Sequence, residues 1–517
     1  MTICSCCVAM AQPSDAQRAT RLREVDAKLG SAPIMGLNLA GLCDWNTELP
    51  FVDVFLESRQ WISQRRGASW GAGPALELDE HGWVKRLEAD CFAEVPLCTI
   101  SGGHYPSGVY TVLYDGRGKL EFGNARVTQE APGKTLIDVD SNNEAFWLRI
   151  VETDPEDYVR NIHVYLPGYG SQESRAECGV WNPQFLKRWS VMKVFRTMDW
   201  QATNNNSTRT WSERPKPTDA SYALRGMPLE IICDFISHVD ADLWICVPDD
   251  ADDDYVKNMA QTLHANLDAT RKVYVEYSNE VWNPSFEQYR RSAAKGRELG
   301  LATSDWEAAW LYTARRSVEI FTIFEEVFGG TERLVRILPT QAVNAYVSEQ
   351  IVSYQDAWRH ADALAIAPYL EMGVSEEARP EYEALGLDGI LERVETHVLS
   401  ESIKHMREQK ELADRYGLAL VCYESGQGLV GLFGANDHDT LNDLLIGANG
   451  TERMGAVYRE YFKAWEELGG RTLCHFSSVG RWSKWGSWGL IEYADQTTAD
   501  VPKYRETIDC AKRWNKR

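Results

Sequence analysis

The chain has 517 residues, 44% of them hydrophobic, enough to bury a large core, and its 54 basic against 76 acidic side chains give a formal net charge of −22. That balance excludes a broad basic surface of the kind that grips nucleic acid or an anionic membrane, so a neutral ligand is the easier partner. No run approaches the ~18 uninterrupted apolar residues of a membrane span, and the twelve cysteines show no CxxC pair matched by a second pair or by histidines at ligand spacing, so no metal or other cofactor is expected.

The N-terminal run MTICSCCVAMAQPSDAQ contains a short apolar segment ending in Ala9-Met10-Ala11, an A-x-A cleavage pattern without a basic flank. It reads as a remnant of an export signal, which makes the expected location secreted or periplasmic. Residues 1–30 form this segment and a polar helical lead-in over 16–29. Residues 33–42 (PIMGLNLAGL) are a first apolar strand that runs into Cys43-Asp44-Trp45-Asn46, followed by a helix-like stretch over 50–64.

From residue 68 to 175 the texture changes. Short alternating runs such as GVYTVLY (108–114) and residues 145–151 are separated by Gly, Asp and Asn turns, the pattern of an all-β sandwich or jelly-roll. From 176 to 517 the chain alternates strand and helix. Apolar runs at 191–200, 241–248, 273–280, 334–340, 363–370, 418–425 and 472–480 have helices between them, such as 229–239, 304–328, 403–416 and 454–468. With the first strand they make eight, which predicts an α/β fold of the (β/α)8 barrel type, with parts at 31–67 and 176–517 and the β module inserted after strand 1. The module has three candidate roles: a binding module, a wall of the cleft, or the contact of a homo-oligomer.

Cys233, Cys246, Cys422 and Cys474 lie in apolar runs as small buried hydrophobes, while Cys91 and Cys98 are a candidate disulfide that spacing leaves open. The acidic run DDADDD (249–254) lacks the spaced ligands and glycine of a calcium loop and reads as a solvated helix N-terminus. Residues 431–450, rich in Gly and polar side chains, read as a surface loop or a border of the groove.

Two acidic residues close apolar strands in the same way. Glu280 ends the fourth run in VYVEYSNEVWNP and Glu424 ends the seventh in CYESGQG, 144 positions later. Closing the barrel brings the ends of strands 4 and 7 across one mouth, and hydrolysis of a glycosidic bond with retention needs two carboxyls about 5–5.5 Å apart. Asn-Glu at strand 4 with Glu at strand 7 resembles the clan A glycoside hydrolases, retaining (β/α)8 enzymes that include cellulases, mannanases and xylanases. The resemblance covers the barrel alone. It implies Glu280 as acid/base, Glu424 as nucleophile, Asn279 as the partner of a sugar 2-hydroxyl, Tyr369 beside the nucleophile, and Arg196 holding Glu424 ionised. For Arg196 a buried ion pair within the barrel is the alternative. Glu276 points elsewhere or into an internal polar pair and stays outside the catalytic set.

The chain has 19 Trp residues. Trp45, Trp200, Trp282, Trp482, Trp485 and Trp488 fall at or just past strand ends as candidate sugar platforms, and Asp44, Asp199, Asn204 and His475 as candidate hydroxyl partners. The expected partner is a polysaccharide or oligosaccharide cleaved endo-wise: β-glucan or cellulose, or else mannan, xylan or algal galactan. The rival readings are a carbohydrate-binding protein with a degenerate barrel and a transglycosylase.

Overall fold

The computed structural model describes residues 12–516; the export-signal reading falls on residues 1–11, outside them. Eight short apolar strands are parallel: β1 (Met35–Asn38), β2 (Val194–Arg196), β3 (Asp242–Val247), β4 (Val273–Tyr277), β5 (Leu334–Pro339), β6 (Ala363–Ile366), β7 (Ala419–Cys422) and β8 (Leu473–His475). They close into a barrel in which β8 pairs back onto β1 through Met35↔Leu473 and Leu37↔His475. The strands are buried on both faces and alternate in what they pack against. In β7, Ala419 and Val421 join Trp244, Tyr274 and Val335 in the lumen, whereas Leu420 and Cys422 belong to the larger core under the helices. The helices present matching stripes. Leu229–Val239 buries Leu229, Ile232, Cys233, Phe235, Ile236 and Val239, a helical period of apolar positions.

The inserted module is a sandwich of two four-stranded antiparallel sheets. One runs Ile62–Arg65, Cys91–Leu97, Phe146–Thr153, Gly118–Gly123; the other runs Arg160–Tyr165, Gly108–Asp115, Lys134–Val139, Ala125–Ala131. Its own core lies between them, with Val95, Leu97, Leu148 and Ile150 of one sheet against Tyr110, Val112, Ile137 and Val164 of the other. Asp53 ties module to barrel: its carboxylate meets His163 Nδ1 at 2.7 Å and accepts from the Val164 amide at 2.8 Å.

Three expectations about elements are corrected. Residues 50–64 form a 3-10 turn (Val54–Glu57) and an edge strand (Ile62–Arg65) in place of a helix, because Phe51 and Asp53 bridge to Trp181 and Tyr165 and hold the segment extended. Residues 431–450 include a helix, Asp439–Asn449, whose Leu441 and Leu445 are buried. The sixth run breaks near Pro368, and Leu370–Val374 instead pairs in parallel with Gln427–Gly431, a two-stranded ribbon just past β6 and β7. Cys91 and Cys98 are free thiols. In the acidic run, Asp252 caps helix Asp253–Asn266 by accepting from the Tyr255 amide, and Asp249 is held by Arg291.

Gly36 in β1 sits where a Cβ would lie 2.6 Å from Cys474 Sγ and 2.9 Å from the Val194 carbonyl oxygen. Gly36→Ala therefore forces strands apart and is expected to cost about 1–3 kcal/mol, read as a lower urea midpoint at unchanged m-value.

Candidate functional site

The site is built around one buried guanidinium. Arg196 ends β2 with no exposed surface, and each of its five N–H groups finds an acceptor. Nε and Nη2 grip Glu276 of β4 at 2.8 and 3.1 Å, Nη1 reaches Asn38 Oδ1 of β1 at 3.1 Å and Glu424 Oε1 at 2.8 Å, and Nη2 also reaches Asn279 Oδ1 at 2.8 Å. Arg196 thus makes an internal ion pair with Glu276 and a contact to Glu424 at once. Glu276 takes a further bond from Trp244 Nε1 at 2.7 Å. Burial raises its affinity for a proton while Arg196 opposes that.

Glu424 lies two residues beyond β7 and its two oxygens are provided for separately, Oε1 by Arg196 and Oε2 by the Tyr369 hydroxyl at 2.9 Å. Glu280 lies three residues beyond β4, in a turn where Ser278 and Glu280 both adopt left-handed backbone angles, with φ of 54° and 43°. Such a conformation is uncommon for these residues and concentrates at functional sites. Among the described residues the Glu280 side chain accepts only from Asn283 Nδ2, at 2.9 Å. Burial first, then the charge of Glu424, pushes the Glu280 carboxyl up to about 8, with Asn283 and Arg196 pulling the other way. The two carboxyls that the sequence singled out thus lie within electrostatic reach of each other.

Asn279 is fixed at both ends of its amide: Oδ1 accepts from Arg196, and Nδ2 donates to Asn204 Oδ1 at 3.0 Å. Gln288, from helix Glu287–Glu298, donates to Asn204 Oδ1 at 2.7 Å and to the Asn279 carbonyl at 2.9 Å. Asn204 therefore positions Asn279. Asp199 is half-buried with no side-chain hydrogen bond among the described residues, and burial, then Glu424, pushes it up to about 7. Glu371, on the ribbon, adds another negative charge that acts on Glu280.

Several buried polar groups on these same segments await a partner. Ser278 Oγ has none, and the Trp282 indole N–H lies beside the Tyr423 hydroxyl without either completing a regular hydrogen bond. Buried polar groups left unsatisfied in a native fold call for a ligand or another explanation. Trp488 stands edge-on to Tyr369, ring centroids 5.6 Å apart. Trp45 and Trp485, 57% and 68% exposed, line a groove of about 400 Å³ with Gly41, Thr47, Gly480 and Arg481. Its inner end adjoins Asp199, since a Cβ on Gly41 would lie 3.7 Å from Asp199 Cβ. A cavity of about 460 Å³ where module meets barrel includes neither Glu280 nor Glu424.

Four expected contacts fail on geometry. Trp200 is fully buried, donates to the Ala40 carbonyl at 3.0 Å and stacks on Trp181, so it is core. Asp44 is buried in a bidentate pair with Arg59, 2.7 and 2.6 Å, and also accepts from Thr99. His475 has no exposed surface, meets the Tyr458 hydroxyl at 3.2 Å, and is held neutral by burial, its basicity pushed down to about 3. Trp482 packs at the loop base, with its N–H on the Gly489 carbonyl and the Lys503 ammonium 4.4 Å from a ring centre. The sequence reading missed Asn38, Gln288 and Tyr423. The only signal they gave was a polar residue inside or beside a buried stretch.

No family model matches the chain, and no curated protein does. Among solved structures it is similar to a 4-O-α-L-rhamnosyl-β-D-glucuronidase from Fusarium oxysporum (12% identity over 67% of this chain and 66% of that one, TM-score 0.37). It is also similar to an endo-β-1,4-mannanase from Cellulomonas fimi (13%, 62% and 63%, 0.34) and to a hyperthermostable endo-1,4-β-D-mannanase from Thermotoga petrophila (12%, 64% and 93%, 0.35). The match spans less than two thirds of the first two chains. The fold itself, a closed parallel (β/α)8 barrel carrying an antiparallel module, stands on the strand pairing.

Glu424→Gln removes the like charge beside Glu280 and keeps the volume. The Glu280 carboxyl, followed by NMR of carboxyl-labelled protein, is expected to titrate at lower pH than in the parent, yet still above the ordinary Glu value of about 4.3, because its burial persists.

Proposed function

We propose that this protein is a retaining glycoside hydrolase acting endo-wise on a β-linked polysaccharide, with Glu280 as acid/base and Glu424 as nucleophile. One observation carries the reading: the two carboxyls at the barrel mouth are provided for in opposite ways. Glu424 accepts hydrogen bonds from a guanidinium and a phenol. Glu280 receives a single neutral amide and the field of Glu424, which favour its proton. This is the division of labour that double displacement needs.

In the first step Glu280 gives its proton to the glycosidic oxygen as Glu424 attacks the anomeric carbon. The leaving chain departs as an alcohol and a glycosyl ester forms on Glu424. Esterification removes the charge that had favoured the proton on Glu280, so Glu280 stays as the carboxylate left by the first step and takes a proton from water as that water attacks the same carbon. Tyr369 and Arg196 hold Glu424 on line, the second N–H of the Asn279 amide is left for a sugar hydroxyl, and the Trp282 N–H and Tyr423 hydroxyl are available to the sugar as well. The exposed indoles of Trp45 and Trp485 line a groove on this rim and are suited to stacking on sugar rings, which supports β-glucan, mannan, xylan or a galactan as the substrate class.

Glu424→Ala is expected to lower kcat by about 10⁴-fold or more, with azide restoring part of the rate as a glycosyl azide of inverted configuration. Proton NMR of the first product from the parent is expected to show the β anomer; an α anomer, or near-parent hydrolysis by the variant, sinks the assignment.

Because Glu280 must enter the reaction protonated, kcat/KM is expected to fall as pH rises through about 8, the value to which burial and Glu424 push it. The same shift makes folding stability decline as pH rises from the unfolded carboxyl range, about 4.3, toward 8, since ionising Glu280 costs more in the fold than in the open chain. A pH–rate profile and a series of thermal melts check both signs.

A further inference from the structure

We infer that the outer face of the inserted module is a second polysaccharide-binding site, centred on Trp70 and Trp147 and separate from the barrel groove. That the ligand is a polysaccharide rests on the hydrolase reading above.

In Phe146–Thr153 the side chains of Phe146, Leu148 and Ile150 enter the module core, so Trp147 and Arg149 stand on the opposite face. Register places Trp147 between Pro96 and Gly123, and Arg149 between Glu94 and Glu121. Gly123 makes room for them: a Cβ there would lie 3.2 Å from Trp147 Cβ and 3.4 Å from Arg149 Nη2. Trp70 arrives from the loop after Ile62–Arg65, which is pinned by the Gly71 amide donating to Gln64 Oε1 at 2.8 Å. It meets Trp147 edge-on, centroids 5.3 Å apart at 77°, and stays 63% exposed. Phe92 extends the aromatic strip, flanked by Arg66 and Arg149 at 5.6 and 5.8 Å.

A large indole left in water on a face that already holds a second indole and a Phe is a costly arrangement unless something covers it. The polar groups around the strip favour a sugar chain. Glu94 is paired with the Arg149 guanidinium, Nε at 2.7 Å, and accepts a second bond from Gln64 Nε2 at 2.9 Å. The Arg149 Nη groups have no protein acceptor among the described residues and can donate to hydroxyls. Three basic side chains, Arg66, Arg149 and Lys119, stand with Glu94 and Glu121, so the patch carries little net charge, which suits an uncharged chain with apolar ring faces and a rim of hydroxyls better than a strongly charged partner.

Binding is measured in the Glu424→Ala background, by electrophoresis through gels containing soluble β-glucan, mannan or xylan and by pull-down on insoluble cellulose. Adding Trp70→Ala is expected to weaken binding of the polymer by about tenfold or more, as loss of an aromatic anchor does, while Trp70→Phe retains most of it. With Glu424 intact, Trp70→Ala is expected to cleave a short aryl glycoside at the parent rate. Polymer binding unchanged by Trp70→Ala, or a parent held by none of these glycans, overturns the proposal. So does a Trp70-dependent dimer seen by sedimentation with glycan binding unaltered. If the platform binds but the intact protein hydrolyses nothing, the hydrolase reading fails and the platform stands.

Discussion

A charge with no water around it needs every one of its donors satisfied, and Arg196 meets that condition inside the barrel. Its five bonds draw the ends of β1, β2, β4 and β7 onto one point through Asn38, Glu276, Asn279 and Glu424. Taking such a charge out of water costs several kcal/mol, offset only when the geometry is complete. The network therefore constrains the mouth more tightly than apolar packing could, because any displaced partner leaves a buried charge or amide exposed to nothing. Glu276 has the sealed interior position and Glu424 the one that opens outward, so a single cation both locks the fold and prepares a carboxylate.

The same arrangement explains why two glutamates in one cleft can differ. Each lies close enough to feel the other, and the difference comes from what else each touches. Glu424 shares the cation with Glu276 and has the Tyr369 hydroxyl; Glu280 sits in a left-handed turn with Asn283. Asp199 and Glu371 add acidity to the rim, so the field at the mouth disfavours a further negative charge and matches a chain of neutral sugars better than an anionic one.

Support around the site comes from polar groups that look unremarkable in sequence. Asn204 and Gln288 come from a loop after β2 and a helix after β4, yet together they clamp Asn279. The ribbon of Leu370–Val374 and Gln427–Gly431 continues directly from the segments that carry Tyr369 and Glu424, tying the two together just past the strand ends. On the far side, the module is anchored by Asp53 to His163 and Val164, so the groove and the outer Trp70 face belong to one continuous body.

Sequence by itself determined the architecture, because hydrophobic period and turn chemistry are local: eight apolar runs alternating with helices, an alternating β segment set between the first and second, and acidic residues closing the fourth and seventh runs. Arg196, Asn279 and Tyr369 entered through the resemblance to a known group of enzymes and not through any local pattern. Tertiary structure alone decided which strand-end residues face the mouth. Trp200, past the end of β2, and His475, the last residue of β8, turn into the core, since a shift of one position along a strand exchanges inside for outside and no composition records that choice. Asp44 was lost to Arg59 in the same way. The partners of Arg196 come from positions 38 to 424, and only closing the barrel sets their distances, which is why the cation could be suspected from sequence but its fivefold coordination could not.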